Sequence, residues 1–391
     1  MASPTLRAYF DDVLADRLES TVLAHGKLGD RTTVVLDRTV FYPESGGQMA
    51  DRGTLDGRAV LDVQVDDDGV VHHVLDATPE DLPAIGARVA GRIDRARRRE
   101  HMALHTAQHM LSRALVDLAK AETVSSRLGE SACTIDVDRD GLGEARVAEA
   151  EAVVNRLIDE DRAVRAWFPS DEELRALPLR RAPKQTANVR VVEVEGFDVS
   201  PCGGTHVVRT AEVQLVRITG LERYKGGTRV TFTAGPRARG ALFEEDRALR
   251  ALAKELLCPP LEVGKQLARL RAELGAAREE AGRYRAIVAR VTAEEARTRA
   301  EDHRVVVMLD DGDVELARSV ASHLTKEGAL VAIVGARLDE GVHVVVARGP
   351  ASTEDCSALL KALVTRVGGR GGGRPERAEG RLPPGASLAV G

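Results

Sequence analysis

Four residues stand out as potential donors to one metal ion. His105 and His109 are four positions apart in a stretch with helical periodicity, so their imidazoles project from one face, a turn apart. Nearly a hundred residues on come Cys202 and His206, separated by Gly203, Gly204 and Thr205. The two glycines permit the backbone angles of a tight loop that brings a thiolate and an imidazole to the same point. Three imidazoles and one thiolate are a donor set that suits Zn²⁺ at tetrahedral geometry. With a thiolate as the one anionic ligand, such a site keeps a net charge of +1 and some electrophilic character. Four protein ligands usually close a structural site, whereas a catalytic zinc keeps a position open, so both roles stand at this stage. His101, one turn before His105, is a further candidate as ligand or substrate contact.

Other residues could serve the same chemistry. Gly46 and Gly47 would let the chain approach a substrate closely, and Gln48 offers both a donor and an acceptor. A plain turn explains the two glycines equally well. Thr205 could contact substrate or fix the loop. Arg97, Arg98 and Arg99, in a basic run ahead of the histidines, and Arg370 and Arg374, in a glycine-rich stretch near the end, are candidates for phosphate contact. No general base is evident beside the metal residues.

The elements that must position these residues can be read from pattern. Residues 1–95 form a β-rich, barrel-like module, with strands at 34–36, 60–65 and 70–75 and a hairpin turn at Asp66-Asp67-Asp68-Gly69. Residues 96–235 form an α/β domain with the metal residues, with helices from Arg95 and over 144–161 and strands at 189–194, 213–219 and 228–233. Residues 236–300 are helical: one helix over 242–257 stops at Pro259-Pro260, and Leu267, Leu270, Leu274, Ala277, Ala281, Tyr284, Val288 and Val291 trace a coiled-coil-like seam. Its partner is either the preceding helix or a second subunit. Residues 301–391 have a β-α-β-β-α pattern, a small C-terminal α/β domain ending in the loop 368–375. The fold class is α+β.

The chain has 391 residues and a net charge of −5, which excludes nucleic-acid binding by overall charge and leaves room for a local basic face. Four dispersed cysteines form no disulfide framework. An acidic N-terminus and the lack of a long apolar run predict a cytoplasmic protein with no membrane partner.

His105-Thr106-Ala107-Gln108-His109, Cys202-Gly203-Gly204-Thr205-His206 and residues 41–48 resemble, in order and spacing, the editing domain of alanyl-tRNA synthetase and its freestanding relatives, the trans-acting alanyl-tRNA editing proteins. Threonyl-tRNA synthetase editing domains share the His and Cys motifs and are less similar at Gly-Gly-Gln. The stretch 368–375 and the pattern before it resemble the C-terminal domain of alanyl-tRNA synthetase, also seen in DHH-type phosphoesterases; the Asp-His-His motif of those enzymes is missing here. The resemblance covers nearly the whole chain, as in the long freestanding editors, and departs at Arg377 and Glu379, where an apolar or amide residue is expected.

The resemblance implies Zn²⁺ held by His105, His109, Cys202 and His206, with His101 outside the motif and Gln48 in the substrate pocket. It implies editing in trans, since nothing upstream leaves room for an aminoacylation domain. The expected reaction is hydrolysis of the ester linking a wrong amino acid, serine and then glycine, to alanine tRNA. A non-catalytic tRNA-binding protein with a structural zinc is the alternative. A homodimer through the helical segment or C-terminal domain is a further expectation.

Overall fold

The computed structural model describes residues 4–183 and 187–388. The expected domain edges at residues 1–3 and 389–391 lie outside them. The molecule is a mixed α+β protein whose chain divides into two compact units, the first running to Leu249 and the second starting at Arg250. The first of these units holds both the barrel and the helix-centred part that follows it, and the border between the units falls inside a helix.

In the first unit, strands Arg17–Leu28, Arg31–Leu36, Val71–Leu75, Arg58–Val65, Gly53–Leu55 and Arg88–Ile93, in that spatial order, close an antiparallel barrel. Arg88–Ile93 alternates strictly between exposed and buried, so Val89 and Ile93 join Val34, Leu36, Val63 and Val71 inside. The hairpin at Asp66–Gly69 forms as its residues predict: Gly69 takes φ +79° and the Asp66 carboxylate accepts the Asp68 and Val70 amides.

The chain then enters helix α1, Arg95–Ala119, capped by Asp94, whose carboxylate accepts the Ala96 and Arg97 amides. Residues 101–112 of α1 are buried on every side, the pattern of a central core helix. Around it pack helix α2, Glu144–Asp159, and a four-stranded sheet in the order Val216–Tyr224, Gly227–Ala234, Cys133–Val137, Thr123–Leu128. A three-stranded antiparallel sheet of Val164–Trp167, Val191–Val194 and Asp198–Pro201 completes this half. The short helix α3, Asp171–Ala176, follows the first of these strands. Helix α4, Gly235–Glu255, leads out of the unit; it starts seven residues before the expected 242 because Gly235, at φ +65°, turns the chain directly from strand into helix.

The second unit holds helix α5, Val263–Arg297, helix α6, Val314–Leu324, and helix α7, Cys356–Val367. Its sheet runs Arg304–Leu309, Val331–Leu338, Gly341–Arg348, Arg377–Leu382, Arg370–Arg374, with the first pair parallel. α6 and Ala289, Ala293 and Ala296 of α5 cover one face, while α7 covers the other. Leu267, Leu270 and Leu274 of the seam are exposed. The stretch expected as a glycine-rich loop is instead half a β-hairpin. A Cβ on Gly371 would stand 2.6 Å from the Gly380 Cα and 2.9 Å from a Leu360 methyl of α7, so glycine serves close packing here, not flexibility. No helix among the described residues is long and apolar enough to cross a membrane.

Candidate metal centre

α1 delivers His105 and His109 into the interior, and the loop leaving strand Asp198–Pro201 folds back over them with Cys202 and His206. One ligating atom from each of the four lies within 4.8 Å of the others. The Cys202 Sγ stands 3.4 Å from His105 Nε2 and 3.4 Å from His206 Nε2. Such a group could hold a metal ion. His101 is outside it; burial pushes its imidazole down to about 4, so it is neutral.

Partners behind the ligands fix which nitrogen faces the centre. Gln48 is fully buried, and its amide oxygen accepts the Thr205 N–H at 3.1 Å, which orients the amide. That oxygen lies 2.7 Å from His105 Nδ1 and can only accept, so His105 carries its proton there and turns a bare Nε2 inward. Thr106 Oγ1 faces His206 Nδ1 at 3.1 Å. The Asp198 carboxylate lies 3.4 Å from His109 Nδ1 and pairs with the buried Arg180 guanidinium at 2.8 Å. Burial raises the Asp198 carboxyl, but His109 and Arg180 outweigh it and hold it down to about 2. Burial likewise raises the Cys202 thiol, and the surrounding imidazoles bring it well below its ordinary range. Burial and His105 together lower His206 to about 3. A thiolate facing a neutral imidazole is the protonation pattern of metal ligands.

Several candidates take a different place from the one expected. Gln48 and Thr205 are both fully buried and bonded to each other, with Gln48 Nε2 donating to Thr205 Oγ1 at 2.7 Å. They position His105 and the loop. Gly46 and Gly47 make a tight turn with φ +60° and +87°, closed by paired bonds between Ser45 and Gln48. A Cβ on Gly47 would meet the Ser126 carbonyl, so that glycine serves packing on a neighbouring strand.

The basic run also divides. Arg98 is 3% exposed, bonds the Asp51 carboxylate and donates to the Val13 and Val40 carbonyls. Its charge is neutralised inside the protein, which removes it as a phosphate contact. Because Asp51 in turn accepts the Tyr42 amide, Arg98 ties the loop bearing Gln48 to the helix bearing His105. Arg97 donates to the Ala50 carbonyl and to Glu130, while Arg99 is exposed. Arg370 and Arg374 are exposed in the second unit.

Sequence reasoning missed Arg190. It is buried, and its Nη1 donates to the carbonyls of Cys202 at 3.1 Å and Gly204 at 2.8 Å, clamping the metal loop. It also lines a cavity of about 320 Å³ that reaches Cys202 and Gly203. An arginine at the head of an apolar strand was the one available signal.

Comparison with known proteins bears on this geometry. Residues 11–97 match the family of tRNA synthetases class II (A), and residues 189–231 match the threonyl and alanyl tRNA synthetase second additional domain. The chain is 32% identical, over 98% of its length, to an alanine–tRNA ligase of Halorubrum lacusprofundi. It is 32% identical over 97% of its length to that of Thermococcus kodakarensis. It spans 42% of the length of each of these ligases. It is 28% identical to the alanyl-tRNA editing protein AlaX-L of Pyrococcus horikoshii, over 96% of this chain and 94% of that protein. The C-Ala domain from Aquifex aeolicus alanyl-tRNA synthetase aligns with 21% of the chain and 79% of its own at 17% identity and a TM-score of 0.20, too slight a likeness to argue from. The chain resembles a long alanyl-tRNA editing protein and the corresponding part of alanine–tRNA ligases.

Proposed function

We propose that this chain is a trans-acting hydrolase that removes a wrongly attached amino acid from alanine tRNA, with Zn²⁺ held by His105, His109, Cys202 and His206. The observation that carries it is a buried three-histidine, one-cysteine group whose cysteine borders a cavity. For Zn–S near 2.3 Å and Zn–N near 2.0–2.1 Å at tetrahedral angles, sulfur and nitrogen should be about 3.5 Å apart; the 3.4 Å separations at Cys202 fit. Bound zinc supplies a Lewis acid for an ester carbonyl or for water. The chain's own residues hold the geometry. Gln48 keeps the His105 tautomer, Asp198 orients His109, and Arg190 clamps the carbonyls of Cys202 and Gly204. AlaX-L is named an alanyl-tRNA editing protein, and that name supports the substrate class. Action on tRNA supports the expected cytoplasmic location.

Serine is the preferred amino acid in this reading, with glycine second. An alanine-activating pocket rejects an isostere that merely adds a hydroxyl by only about a hundredfold. A second site that recognises the hydroxyl makes up the difference.

The second reading, a tRNA-binding protein with structural zinc, is favoured by the four protein ligands, three of them buried histidines. Deacylation of seryl-tRNA charged on alanine tRNA separates the two. We expect rapid loss of serine that stops with a zinc chelator and in Cys202→Ala, with correctly charged alanyl-tRNA spared. Bound tRNA with the ester intact would favour the structural role, and fast loss of alanine would sink the specificity.

A further inference from the structure

Two turns of α1 hold the segment that carries Gln48. Arg98 and His105 are seven residues apart, so they lie on one side of the helix about 10 Å apart along its axis. Gln48 and Asp51 are three residues apart, and three residues of extended chain also span about 10 Å. The side-chain bonds follow that match. Asp51 meets Arg98 at one end, and Gln48 Oε1 lies 2.7 Å from His105 Nδ1 at the other. Between them the Ala50 carbonyl accepts Arg97 Nε at 3.0 Å. The chain is held past Asp51 as well, because the Arg52 carbonyl accepts the Asp94 amide at 2.7 Å, where the helix starts.

Arg98 gathers more than this one segment. Nε donates to both Asp51 oxygens at 3.0 Å, Nη1 to the Val13 carbonyl at 3.1 Å and Nη2 to the Val40 carbonyl at 2.6 Å. The buried Asp51 carboxylate accepts the Tyr42 amide at 2.7 Å, and the Asp51 amide donates to the Tyr42 carbonyl at 3.0 Å. The Tyr42 hydroxyl donates to the Ser45 carbonyl at 3.1 Å, and Ser45 pairs with Gln48 in both directions. A continuous route of hydrogen bonds therefore leads from Arg98 to Gln48, and from there to His105 and Thr205. A buried ion pair is a weak source of net stability and is best attested as a device that fixes register. Here the register is that of residues 48–51 against α1.

We propose that Arg98 is a positioning residue for the metal centre: with Asp51 it sets where Gln48 meets His105, so that docking of this barrel loop on α1 and binding of the metal promote each other. The proposal rests on Zn²⁺ binding by His105, His109, Cys202 and His206, and it adds a control of affinity from outside the ligand set. Coupling between two equilibria is reciprocal, so each favours the other by the same factor.

Zinc titrations of the full chain against a competing chelator test it without hydrolysis. Arg98→Lys keeps the charge but loses the planar fork, and Asp51→Asn keeps an acceptor for the Tyr42 amide but loses the charge. Each should weaken zinc binding about tenfold, the lower end of the range for a partner that bonds a metal ligand directly, because Arg98 acts one step further out. In a Gln48→Ala background the same substitutions should add little, since they act through that side chain. In the unmodified chain, zinc should slow hydrogen exchange at the Tyr42 and Asp51 amides by about the same tenfold, a measurement that depends on no variant. Lower stability of the metal-free variants with zinc affinity unchanged, losses that add in full to that of Gln48→Ala, or exchange at both amides indifferent to zinc would each overturn the proposal and leave Arg98 a structural residue. Failure of the unmodified chain to bind zinc would remove the metal centre itself, and the proposal with it. Zinc bound alike by the unmodified chain and both variants removes the coupling alone.

Discussion

Gln48 is the side chain at which the metal helix and the metal loop meet. Its oxygen accepts from His105 and from the Thr205 amide, and its nitrogen donates to the Thr205 hydroxyl. Removing it would leave His105 Nδ1 without its acceptor and free the ring to turn, and loss of such an outer partner typically lowers metal affinity by about 10–100-fold. We therefore expect Gln48→Ala to bind zinc more weakly by that factor in a competition titration with a chromophoric chelator. Its lost activity should return in part when zinc is added. Activity lost with zinc affinity unchanged would restore Gln48 as a direct substrate contact. The clustering of these four side chains was legible in the sequence, because a histidine pair at helical spacing and a Cys-Gly-Gly-Thr-His turn are unusual combinations of donor type and geometry. Their supports were not. Asp198 reaches His109 through the pairing of Val191–Val194 with Asp198–Pro201, with Arg180 from the segment after α3 behind it, and no local pattern encodes which residue that register places beside the helix. Nor does a run of arginines reveal that Arg98 turns inward to Asp51 while Arg99 stays out.

The barrel's role is to present the loop that carries Gln48, and its interior contains a group that ties its stability to pH. His73 is fully buried on strand Val71–Leu75. Nδ1 lies 3.1 Å from the Val34 carbonyl, which can only accept, so the proton is there and Nε2 accepts from the Thr39 hydroxyl at 2.7 Å. The same hydroxyl accepts the Phe41 amide, at the start of the Gln48 loop. Burial pushes the His73 imidazole down to about 4, against about 6.5 in an unfolded chain. Between those values the unfolded chain binds the proton and the folded one does not. The stability contribution is thus whole above pH 6.5 and is lost as pH falls toward 4, on the order of 3 kcal/mol in all. Urea unfolding followed by Trp167, the chain's one tryptophan and a member of the first unit, should show His73→Gln less stable at neutral pH but with a smaller loss on acidification. Equal losses in both proteins would place the acid sensitivity elsewhere. At this scale the sequence was readable wherever structure is local: α2, α5 and the Asp66–Gly69 hairpin lie close to where periodicity and turn residues put them. Pairing between distant segments was not readable. Strands Thr123–Leu128 and Cys133–Val137 were missed, the first being polar and exposed along much of its length, and the glycines of 371–373 read as a loop until Gly380 and α7 were seen against them.

For the whole molecule, the proposed function raises the question of how a chain with net charge −5 would hold a polyanion. The first unit concentrates cationic side chains around the cavity at the metal centre, and the second unit has its own exposed candidates on the edge strand Arg370–Arg374. In that hairpin Arg370 sits opposite Arg381 and Arg374 opposite Arg377, like-charged pairs that cost stability across a ladder. Arg381 is compensated by Glu340, and Arg377 by Glu379. Arg370 and Arg374 have no carboxylate partner among the described residues, so their charges remain directed at solvent from an edge where glycines keep the backbone accessible. An edge strand with unpaired cations also resists pairing with another copy, so charge at these positions could serve solubility alone. Salt dependence separates the two roles. If each arginine neutralises one phosphate, the slope of log affinity against log salt for whole tRNA should become shallower by about 0.9 per contact, close to 1.8 for Arg370→Ala with Arg374→Ala. An unchanged slope with tRNA would take both residues out of the RNA contact and leave them as guards of an exposed sheet edge.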